Sequence, residues 1–93
     1  MFERILRRMR AKIRTRQYVV SVHADEEMDD DDLTIYDVEH GILTGEIIER
    51  ERDNVTAEWK YRIRGEILDG AEVEEVAKLS PTGKLVIITV YRP

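Results

Sequence analysis

Apolar residues recur every three or four positions at the start of the chain: Phe2, Ile5, Leu6, Met9 and Ile13. That spacing puts them on one face of a helix over about residues 2–15, with arginines on the other faces. Tyr18-Val19-Val20-Ser21-Val22 is β-rich and short, either a strand or an extended lead-in to the next helix. Residues 24–32 predict a short helix anchored by Met28. Its four consecutive aspartates compete for backbone donors, so it should fray by Asp30. Thr34 followed by Asp37 reads as a helix start, with a capping hydroxyl and an acid in the first turn. Ile35, Val38, Ile42 and Leu43 continue at helical spacing, Gly41 interrupts them, and Gly45 is the candidate C-cap.

The second half changes period. Ile47 to Arg52 predicts a strand closed by the turn residues Asp53-Asn54. Over Thr56 to Arg64, Ala57, Trp59, Tyr61 and Ile63 alternate with Glu58, Lys60, Arg62 and Arg64, one face buried and one polar. A turn at Leu68-Asp69-Gly70 leads to a strand over Val73 to Leu79. The Val73/Val76 spacing breaks simple alternation there and predicts a bulge near Glu74-Glu75. Ser80-Pro81-Thr82-Gly83 is a turn. Leu85 to Tyr91 is nearly all apolar, as in a strand covered on both sides, with Val86, Ile88 and Val90 facing one way and Leu85, Ile87, Thr89 and Tyr91 the other. The sum is an α+β fold: two or three N-terminal helices packed on one face of a four-stranded antiparallel sheet.

Length and charge narrow the class. Ninety-three residues make a single domain over 1–93. No apolar run approaches the ~18 residues of a membrane span, and the basic start is not a secretory signal, so the expected location is cytoplasmic. The absence of cysteine excludes disulfides and thiolate chemistry. Charge is segregated. Residues 1–16 carry seven cations against Glu3, whereas residues 17–93 carry 8 basic and 19 acidic groups. Seven of those acids lie between Asp25 and Asp32. Such asymmetry marks a partner-binding segment, or two segments that pack together within one molecule or across a homo-oligomer. The basic helix either caps the sheet or docks on nucleic acid or an anionic surface.

Candidate chemistry is sparse. No phosphate-binding Gly-rich loop, zinc-protease or nucleophile-elbow motif is present. The acidic run lacks the ligand spacing and glycine of a calcium loop and reads as a solvated face, so no metal and no cofactor is expected. His23 opens the second helix, where an imidazole serves as proton shuttle or as a surface group; His40 reads as an exposed residue without a partner. Lys60, Arg62 and Arg64 stripe one strand face, and Arg50 on the neighbouring strand extends it. These cations either hold RNA phosphates or pair with Glu49, Glu51, Glu58 and Glu66. Tyr91 either stacks on a base, donates a proton, or closes the core.

Several short segments in order carry a resemblance. They are His23-Ala24-Asp25-Glu26-Glu27-Met28, Gly45-Glu46-Ile47-Ile48, the tyrosine strand from Tyr61 to Gly65, and Ile88-Thr89-Val90-Tyr91 before Arg92-Pro93. Together they resemble domain-of-unknown-function family 4258, among the RelE-like toxin folds. The resemblance makes residues 17–93 a RelE-like core and residues 1–16 a basic addition. It implies the toxin of a toxin–antitoxin pair: a metal-independent endoribonuclease acting on messenger RNA and neutralised by a protein antitoxin. On that basis His23, Arg62 and Tyr91 are the catalytic candidates, and Arg50, Lys60 and Arg64 the phosphate-binding ones. Two departures stand out. Glu27 replaces the arginine expected before the methionine, and Asp29 to Asp32 add charge that repels RNA. The alternative is a non-catalytic protein-binding or assembly domain on the same fold, with the first helix as its docking element.

Overall fold

The basic N-terminal segment folds onto the rest of the chain as α1 (Glu3–Arg14), the first element in a computed structural model that describes all 93 residues. Leu6, Met9 and Ile13 of its apolar stripe are buried. Arg10 reaches the C-terminal end of a later helix and donates to the Ile42 and Gly45 carbonyls at 3.2 and 2.8 Å, where a cation complements the exposed carbonyls.

β1 (Tyr18–Val20) follows, then α2 (Val22–Asp30) and α3 (Ile35–Thr44). α2 starts earlier than the pattern predicts because the Ser21 hydroxyl caps it, accepting from the Ala24 amide. It ends at Asp30, and Asp32 turns the chain with φ 55°. Thr34 and Asp37 form a reciprocal capping box at the start of α3. Gly45 ends α3 in extended backbone and not in the left-handed conformation of a glycine cap.

The remaining strands are β2 (Glu46–Arg52), β3 (Trp59–Glu66), β4 (Glu72–Leu79) and β5 (Leu85–Tyr91). The sheet order is β1-β5-β4-β3-β2. It therefore has five strands and is mixed, not four and purely antiparallel. β2 to β5 form the expected antiparallel meander, and the three-residue β1 adds in parallel beside β5. Beyond β1, the β5 edge is closed by α2: the Ser21 hydroxyl donates to the Ile88 carbonyl, and the Glu27 carboxylate accepts from the Val90 amide at 3.1 Å.

The helices cover one face of the sheet. Tyr61, Ile63, Val73, Ala77, Leu85, Ile87 and Val90 are buried beneath them. α3 lies close to β3 because glycines meet there: a Cβ on Gly65 would stand 2.0 Å from the Gly41 carbonyl oxygen. Gly41, an interruption in the sequence pattern, is thus the point of closest helix–sheet approach.

Two bulges reset the strand faces. β4 alternates without a break: Val73, Glu75 and Ala77 point to the core, while Glu74, Val76 and Lys78 point away. The predicted β4 bulge is a charged residue, Glu75, in a core position. The irregularity lies instead in β5, where Ile88 is the extra residue opposite Val76 and Ala77. It puts Leu85, Ile87 and Val90 on the helix side and Val86, Thr89 and Tyr91 on the open side, correcting the predicted faces. β5 is central, but helices cover only one of its faces. The second bulge, at Ile48, shifts the pairing so that Glu49 and Glu51 oppose Arg62 and Lys60, while Arg50 opposes Tyr61.

Candidate functional site

The alternation of β3 delivers Lys60, Arg62 and Arg64 to the open face of the sheet, as its sequence predicts. Strand pairing then brings carboxylates to each of them. Lys60 pairs with Glu51 at 3.3 Å. Arg62 lies between Glu49 at 3.7 Å and Glu74 at 3.5 Å, and Arg64 between Glu72 at 3.4 Å and Glu74 at 3.0 Å. Lys78 pairs with Glu58 at 3.5 Å. Four cations thus meet five carboxylates, which leaves this face weakly negative and without attraction for a polyanion.

The centre of the network is Glu74. Tyr91 stands opposite it on β5 and donates its hydroxyl proton to Oε1 at 2.8 Å, while the Arg64 guanidinium donates to Oε2. Arg62 also donates to the Tyr91 hydroxyl. The hydrogen bond from Tyr91, with the arginines behind it, holds the Glu74 carboxyl below its usual range against the opposing effect of burial. Burial, and then the bond to Glu74, raise the Tyr91 phenol above its usual range. At neutral pH the group therefore holds an ionised carboxylate under a neutral phenol and two guanidinium ions. A shallow depression among Glu49, Glu51, Lys60, Arg62 and Val76 has no room for a water molecule, and a wider one of about 380 Å³ opens beside Arg64, Glu66 and Glu72 at the other end of the network.

The other candidates lie elsewhere. His23 sits in the first turn of α2, at the β5 edge, two-thirds exposed; its ring Nε2 lies 3.3 Å from Glu27. No hydrogen bond or ion pair joins it to Arg62, Glu74 or Tyr91. Arg50 is carried to the helix side of the sheet by the Ile48 bulge, away from the stripe it was expected to extend. Its guanidinium stacks over the Trp59 ring, 4.0 Å from the centroid, and lies 5.6 Å from that of Phe2. His40 is not free: its Nδ1 meets the Glu66 carbonyl at 2.8 Å. The acidic run does not gather three ligands for a metal ion.

The basic helix expected from the sequence forms a second surface together with the β2–β3 hairpin, a juxtaposition the sequence did not reveal. On α1, Arg4, Arg7, Arg8 and Arg14 are exposed, as is Arg16 just after it, and none makes an ion pair. Nor do Arg50 and Arg52 at the tip of the β2–β3 hairpin. One arginine of each group, Arg8 and Arg52, lines a shared cleft of about 310 Å³. Their proximity depends on α1 lying along the helix side of the sheet and on the Ile48 bulge; no local motif signals either.

A small α+β domain with helices on one face of a mixed five-stranded sheet, a self-neutralised open face and an unpaired basic helix is the class these observations define. No helix is long and apolar enough to cross a membrane. The chain belongs to the family described as domain of unknown function DUF4258, whose model matches residues 20–92 and leaves the whole of α1 outside. No curated protein and no solved structure matches the chain.

Proposed function

We propose that the protein is a non-catalytic binding domain that uses α1 as its docking element for a polyanionic partner. The observation that carries this reading is the contrast between two sets of cations. Those of the open sheet face are each tied to a carboxylate, whereas the exposed arginines of α1 are unpaired. Desolvating a paired guanidinium to bind phosphate breaks an existing interaction; an unpaired one gains a new one. The apolar stripe of α1 is already buried, so what the helix offers a partner is charge and not an inserting apolar face.

A second reading, the RelE-like messenger-RNA ribonuclease of a toxin–antitoxin pair, draws support from the Arg62–Tyr91–Glu74 group. It puts a phenol and two guanidinium ions around one carboxylate, and an RNA strand that displaced Glu49 and Glu72 would meet both arginines. Cleavage needs a base for the 2′-hydroxyl and a proton for the leaving oxygen. Glu74 and Tyr91 are the candidates on that face, with His23 at the sheet edge.

One pair of assays separates the readings. Full-length protein is incubated with total RNA at low salt and, separately, induced in a bacterial host. Binding alone predicts intact RNA and normal growth. RNA cleavage, or growth arrest, relieved by Arg62→Ala or Tyr91→Phe would establish the ribonuclease instead.

A further inference from the structure

The cleft between α1 and the β2–β3 hairpin has a definite chemistry. Ile5, Tyr61, Leu79 and Pro81 give it apolar walls, Arg8 and Arg52 supply cations, and the Trp59 indole, 38% exposed, opens onto it. One carboxylate, Glu58, also lines it, already paired with Lys78 at 3.5 Å.

Beside the cleft runs a ladder of rings and guanidinium groups. Arg50 lies between Phe2 and Trp59, 5.6 and 4.0 Å from their centroids, and Arg52 lies 5.1 Å from that of Trp59. Phe2 meets the Tyr61 ring edge to face at 5.9 Å. Such a ladder presents flat, polarisable surfaces next to positive charge. A simple polyanion requires only the charge; a chain of planar aromatic rings joined by phosphates requires both. The helix that supplies Arg8 carries further exposed, unpaired arginines at Arg4, Arg7 and Arg14.

We infer that this cleft and its ladder bind single-stranded nucleic acid by stacking, on the helix side of the sheet and not on its open face. The inference rests on the reading of α1 as a docking element and adds the class of partner and the site that grips it. A base adds to the ladder at Trp59, and Arg8 and Arg52 take the flanking phosphates. Every base has a face that can stack, so binding is tolerant of sequence.

The test uses fluorescence anisotropy of a labelled twelve-nucleotide poly-dT strand on full-length protein at several salt concentrations, with inorganic polyphosphate as a base-free competitor. Trp59 is the single tryptophan, so its emission reports contact directly. Expected results are quenching of Trp59 by the oligonucleotide, about tenfold weaker binding for Trp59→Ala, and near-normal binding for Trp59→Phe, which keeps a ring. Arg8→Ala should flatten the salt dependence by about 0.7 in log–log slope. Circular dichroism melts confirm that the variants fold. If polyphosphate competes as well as the oligonucleotide, and Trp59→Ala binds like wild type, the stacking site is overturned while α1 remains a docking element. If neither polyanion binds, the docking reading falls as well.

Discussion

Glu75 puts a carboxyl group into the core of this fold. It is fully buried on the helix side of β4, paired in register with Ile63 and Val90, and neither carboxylate oxygen has a hydrogen-bond partner. Only the missing side chain of Gly41 makes room for it: a Cβ there would lie 2.1 Å from Oε2. Burial alone drives its pKa well above the ordinary 4.5. Below about pH 4.5 both folded and unfolded chains hold this proton, and the group is neutral in its effect on pH dependence. As pH rises the unfolded chain releases the proton and the folded one keeps it. Stability is therefore lost progressively until pH passes the folded-state pKa. One pH unit corresponds to a little over 1 kcal/mol, which is the stability lost for each unit over which the folded chain keeps the proton and the unfolded one has released it. Glu75→Gln keeps the shape and removes the titration. Thermal melts should show the variant gaining on wild type as pH rises from 4 towards 7, by about 5–10 °C for each pH unit over which Glu75 keeps its proton. A gap of the same size at both pH values would show that Glu75 releases its proton equally readily in the folded and unfolded chains.

Two further substitutions test the packing. Gly65→Ala drives a methyl into the Gly41 carbonyl, which is backbone and cannot swing away, so α3 must lift from the sheet; denaturant unfolding should register a loss of about 3 kcal/mol or more. Thr34→Ala removes the capping hydroxyl of α3 while leaving the Asp37 carboxylate that accepts from the Leu68 amide, and the expected loss is about 1 kcal/mol by the same measurement. A wild-type midpoint for either variant would show that α3 is held by other contacts.

The elements were legible because each obeys a local rule. The regularly spaced apolar stripe of α1, the Thr34/Asp37 cap and the alternation from Trp59 to Arg64 all follow from short-range periodicity. What escaped involves single residues that shift parity or pair over long distance. β1 is three residues long and finds its partner β5 some 67 residues later, so nothing local tells it from a lead-in. Glu75 in a core position looks like a broken pattern because charged residues seldom occupy such positions unpaired. The bulges at Ile48 and Ile88 each move the residues after them to the other face. The first of these carried Arg50 off the predicted phosphate stripe and onto Trp59. The stripe itself was read correctly as Lys60, Arg62 and Arg64; its neutralisation depended on register, which places Glu49, Glu51, Glu72 and Glu74 beside those cations.

Amide chemical-shift mapping tests most directly which surface does the binding. Labelled full-length protein is titrated with the poly-dT strand, and the backbone resonances are followed residue by residue. Shifts are expected along α1 and at Arg50, Arg52 and Trp59, with Lys60, Arg62, Arg64 and Tyr91 unmoved. Shifts concentrated on those last four residues, with α1 silent, would contradict docking through α1.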